Sequence, residues 1–100
     1  EGTGQVETPE RAAEIAGLLG PAKAILLRGH GAVVAGQSIP EVCLLALYLE
    51  ESARLQTEAM KLGEPRFLSR EEAERVARRT FKPASNQRAW EHFKAKVAGA

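Results

Sequence analysis

Apolar positions change their spacing several times along this chain, and each change marks an element. In "TPERAAEIAGLLGP", Ala12, Ile15, Ala16 and Leu19 recur with a helical period. Thr8 offers an N-cap, Pro9 suits the first helical position, and Gly20 with Pro21 stops the helix. The aliphatic run in "AKAILLRG" does not alternate, which predicts a strand covered on both faces. "GAVVAG" predicts a second, shorter strand, so the bend must fall at Gly29, His30 and Gly31 and the two form a β-hairpin.

The period then returns to helical. Ser38 and Glu41 have the spacing of a capping box, with Pro40 in the first turn, and they open the longest predicted helix, residues 39 to 62. Its first half, "VCLLALYLE", is apolar on nearly all sides and needs cover all round, from a sheet and from another subunit. Its second half narrows to Leu55, Ala59 and Leu62, and Gly63 followed by Pro65 ends it. Ser69 and Glu72 repeat the capping-box spacing before a short helix, and Ala89, Trp90, Phe93 and Val97 form one stripe of a final helix. Two strands and four helices make a poor whole. A lone hairpin is marginal without more sheet, and the runs at 24 to 27 and 42 to 49 ask for partners, so the pattern predicts a piece of a larger α/β domain. The opening "EGTGQVETPE", without an initiator Met, reads as the interior of a longer sequence.

Composition narrows the class. A hydrophobic content of 44% over 100 residues supports a packed core and at most one domain. Lys and Arg number 14 against 13 Asp and Glu, interleaved along the helices, so no nucleic-acid footprint is expected. The nearest basic cluster, Arg75, Arg78, Arg79 and Lys82, follows Glu71, Glu72 and Glu74 on one helix and reads as a solvated face that complements the helix dipole. One cysteine, Cys43, excludes an intrachain disulfide and reads as a buried thiol in a reducing compartment, the cytoplasm. No apolar run reaches the length of a membrane span, and the first residues lack a signal-peptide pattern.

Candidate chemistry centres on His30. As a turn residue it needs no function, because His tolerates unusual backbone angles and glycines suit a tight bend. As a ligand it would use those glycines as clearance for an ion approaching the ring. His92, near Arg88 and Phe93, reads as a helix-surface or interface residue, and Tyr48 and Trp90 as packing or interface aromatics. Glu50 and Glu51 are adjacent on a helix and point in different directions, unlike a paired-carboxylate catalyst. "EGTG" is too short for a phosphate loop or a nucleophile elbow, and Gly2 and Gly4 read as a turn.

The string "AILLRGHGAVVAGQSIPEVCLLALYLEESARLQTEAM" resembles the C-terminal half of the class II aldolase and adducin family. The resemblance runs over about residues 9 to 98, with "LLRGHGAVVAG" as its most specific part. It implies a three-layer α/β/α domain of roughly twice this length, with a largely antiparallel sheet, assembled as a homotetramer with sites between subunits. His30 would match the family's last metal-binding histidine, joining a His-x-His pair from the other half around a divalent ion, Zn2+ or else Mn2+. That pair, the catalytic acid/base carboxylate and the phosphate-binding loops have no counterpart in this sequence, so no catalytic residue is assigned and the chain alone is expected to be inactive.

Such an ion stabilises an enolate or enediolate as a carbon-carbon bond breaks beside a carbonyl, which suits retro-aldol cleavage and decarboxylation alike. The stretches "LEESARLQTEAMKLGEPRFLSREE" and "NQRAWEHFKAKV" resemble the decarboxylases of aromatic and pyridine degradation, which implies a small-molecule carboxylate or carbonyl substrate. A sugar-phosphate aldolase or epimerase is the alternative enzyme. A noncatalytic, adducin-head-like assembly module is the alternative outside enzymes.

Overall fold

A computed structural model describes residues 6 to 99. The turn read at Gly2 and Gly4 lies outside the described residues. The order is α1 (Pro9–Leu19), β1 (Ala24–Leu27), β2 (Gly31–Val34), α2 (Ile39–Leu62), α3 (Arg70–Thr80) and α4 (Pro83–Ala98). The chain is thus a mixed α/β unit of one hairpin and four helices.

Local chemistry accounts for the boundaries. Thr8 Oγ1 accepts from the Arg11 amide at 3.2 Å, and Pro9 occupies the first turn of α1. Gly20 leaves α1 with a φ of 51°, a left-handed value that favours glycine. At α3 the capping box is complete: Ser69 Oγ accepts from the Glu72 amide at 3.1 Å, and Glu72 Oε2 accepts from the Ser69 amide at 2.8 Å. At α2 only half of the expected box forms. Ser38 Oγ accepts from the Glu41 amide at 3.3 Å, but the Glu41 carboxylate turns one residue further back and accepts from the Gln37 amide at 2.8 Å.

β1 and β2 pair antiparallel, with Ile25 opposite Val33 and Leu27 opposite Gly31. α1 packs on β1, while α2 packs on β2 and on α4. Among the described residues Leu44, in the first half of α2, is the one fully buried apolar side chain. Ala89, Trp90 and Phe93 of the expected α4 stripe are half-buried, whereas Val97 remains 77% exposed.

Two expectations fail within this chain. β1 is not covered on both faces, since Leu26 is 74% exposed. Cys43 is half-buried rather than buried. Both have one cause, which is that the elements lack enough neighbours. From Glu50 to the end of α2 every residue is exposed, Leu62 by 93%, and so is every residue of α3. A self-contained globular chain of this mass exposes about 5,500 Å². This chain exposes 8438 Å², and its radius of gyration of 15.9 Å exceeds the ~13 Å of a compact domain of this length. No helix among the described residues is long and apolar enough to cross a membrane.

Candidate functional site

The hairpin bend is a three-residue loop, Arg28, Gly29 and His30, between the paired residues Leu27 and Gly31. The His30 amide donates to the Leu27 carbonyl at 3.0 Å and closes the turn. At the open end, the Ala35 amide donates to the Lys23 carbonyl at 2.9 Å. Gly29 has a φ of 72°, as a type II turn requires at its third residue, and Gly31 has a φ of 137°. Among the described residues no non-glycine has a positive φ, so His30 does not itself adopt an unusual backbone angle; the glycines beside it do.

This changes the reading of the glycine frame. A Cβ at Gly29 or Gly31 would meet no atom within 4 Å, so both glycines are there for backbone conformation, and the space around them is open regardless. The imidazole of His30 is exposed at the tip. It is accessible to an ion, and it fits as one donor of a metal site. The described residues do not complete such a site: they contain no group of three or more His, Cys, Asp or Glu that could hold a metal. His92 stays on the exposed face of α4 with its ring edge-on to Phe93 at 5.4 Å.

The other sequence candidates remain structural. Glu51 lies 3.6 Å from Arg54 on its own helix, and Glu50 is solvated beside it. Tyr48 meets Phe81 edge-on at 6.5 Å, and Trp90 is half-buried on α4. Arg75, Arg78, Arg79 and Lys82 are all exposed, as expected of a solvated face. Cys43 borders an open cleft with Gly36, Gln37, Ser38, Ile39 and Val42. Apart from the thiol that lining carries no titratable group, so it offers no acid/base pair.

One polar cluster escaped the sequence reading. Lys23 Nζ donates to Glu41 Oε1 at 2.8 Å and stands 5.0 Å from the centre of the Phe81 ring. The Lys23 hydrogen bond, then that from the Gln37 amide, holds the Glu41 carboxyl below its ordinary value. Partners this far apart in sequence leave no local signal.

The family model described as "Class II Aldolase and Adducin N-terminal domain" matches residues 2–57. The chain belongs to the class II aldolase and adducin family. The match spans α1, the hairpin with His30 and most of α2; the rest of the expected resemblance, from residue 58 to 98, lies beyond it. No curated protein and no solved structure matches the chain.

Proposed function

We propose that this chain supplies His30 as one ligand of a divalent metal, Zn2+ or else Mn2+, in a carbon-carbon lyase of the decarboxylating kind. The supporting observation is the exposed imidazole of His30 at an open hairpin tip inside the segment matched by the family. The remaining ligands and the acid/base group belong to other residues of a larger three-layer α/β/α domain, assembled as a cytoplasmic homotetramer. The large exposed surface favours that wider setting, because a standard interface removes about 800 Å² from each partner and this chain has several times that to cover.

In the proposed reaction, the bond between a carboxylate carbon and the carbon beside a carbonyl breaks. Its electron pair moves to the carbonyl oxygen as carbon dioxide leaves, and a proton later reaches the carbon. His30 would be one of the residues holding a divalent ion, which would supply Lewis acidity to the site. Within this chain the contribution is the position of one imidazole, fixed by the Leu27 to His30 turn.

Assaying the full-length, metal-loaded protein for carbon dioxide release from keto acids, beside aldol cleavage of sugar phosphates, tests the branch. Turnover of the sugar phosphates alone would replace the decarboxylase with the aldolase or epimerase. A second reading, the noncatalytic assembly module, is favoured by the exposed apolar surface. It requires metal-free, inactive protein.

A further inference from the structure

The segment matched by the family holds four Lys and Arg side chains: Arg11, Lys23, Arg28 and Arg54. Three are engaged by acids of their own chain, Arg11 by Glu14 at 2.6 Å, Lys23 by Glu41 at 2.8 Å and Arg54 by Glu51 at 3.6 Å. Among the described residues Arg28 has no such counter-charge, and it is exposed. It also shares the three-residue bend with His30. Two positions apart, their Cα atoms are separated by at most about 7 Å, so both side chains can address one small molecule.

A guanidinium is a planar fork that matches a carboxylate in two parallel hydrogen bonds and stays charged at all working pH values. An arginine with no acid of the described residues beside it does not have to break such an ion pair before it receives an external one. We propose that Arg28 is a substrate-binding residue that anchors a carboxylate of the substrate beside the ion held by His30. This rests on the metal-dependent lyase reading, and it narrows the substrate to an anion whose carboxylate lies close to the reacting carbonyl. Arg28 fixes orientation, while the electrons of the breaking bond go elsewhere.

The test uses full-length protein with malonate and inorganic phosphate as probes, titrated calorimetrically, and metal content measured on the same samples. Arg28→Ala should keep its metal and lose malonate affinity by about tenfold to a hundredfold, the worth of hydrogen bonds to a charged group. Arg28→Lys should recover part of that loss, since it restores charge without the fork. Unchanged malonate affinity in Arg28→Ala overturns the proposal. So does phosphate bound through Arg28 in preference to malonate, which would make the anchored group a phosphate. Loss of metal in Arg28→Ala would also overturn it, by showing that Arg28 maintains the bend. Metal missing from the wild type itself would refute the lyase reading separately, and the malonate ratio would still report on Arg28.

Discussion

Lys23 and Glu41 meet at 2.8 Å and join the entry of β1 to the first turn of α2. The pair ties the hairpin to the long helix at the end opposite His30. With Lys23 also against the Phe81 ring, it reaches the junction between α3 and α4. The Glu41 carboxyl is held below its ordinary value of 4.5, so its charged form is favoured in the folded state. A depressed carboxylate contributes stability that is present above the unfolded value and is lost as pH falls through the folded one. Glu41→Gln should therefore destabilise at pH 7, and the gap to wild type should close as the pH is taken below 4.5. Urea unfolding of both proteins across that window checks it. A gap independent of pH would mean that Glu41 acts by shape alone.

Leu44 and Leu62 separate burial from mere hydrophobicity. Leu44 is fully buried and Leu62 is 93% exposed on the same helix. Leu44→Ala should cost about 2 to 5 kcal/mol, as large-to-small changes in cores do. Leu62→Ala should be close to neutral in these 100 residues by themselves. In the larger assembly proposed above it should become costly, and comparing denaturant midpoints in the two settings reads that difference.

Gly29 is held by conformation, not crowding. Its φ is 72° and a Cβ would touch nothing within 4 Å. Gly29→Ala should cost about 1 to 2 kcal/mol for a left-handed backbone, and Gly29→Asn less, because Asn adopts that region more easily. Gly36 is the contrasting case: there a Cβ would come within 3.1 Å of the Glu41 and Val42 side chains. Thermal unfolding of the two Gly29 variants and of Gly36→Ala distinguishes strain from contact.

Ser69 supports a helix that has little else. α3 is exposed along its whole length, and its capping box is its main local support. Ser69→Ala should weaken α3 by about 1 kcal/mol. Because α3 packs so little on the other elements, the loss should show as faster amide exchange within residues 70 to 80, with the protection around Leu44 unchanged.

Element boundaries were legible where a residue acts on its own backbone. Thr8 with Pro9, Gly20, Ser38 and Ser69 begin or end helices through contacts within a few positions, and Gly63 ends α2 through its positive φ; such chemistry is written locally. Glu41 shows where that stops. Its spacing from Ser38 announced a reciprocal box, but Lys23, far away in sequence, drew the carboxylate elsewhere. The cover expected over Leu26 and around α2 is not supplied by the described residues, and a short apolar run carries no signal of how many neighbours its own chain will bring. His30 stood out through its glycines, and the family resemblance gave it a role. The φ values of Gly29 and Gly31 show that the turn alone demands them. Arg28 drew no notice in the sequence because its significance depends on which other cations are already paired, a fact of tertiary structure.

Metal content of the full-length protein, measured by elemental analysis in wild type and in His30→Ala, probes the proposed site most directly. Zinc or manganese in stoichiometric amount, lost in the variant, is the expected result. A metal-free wild type, or metal retained in His30→Ala, would contradict it, leaving His30 as the closing residue of a turn and the chain as part of an assembly scaffold.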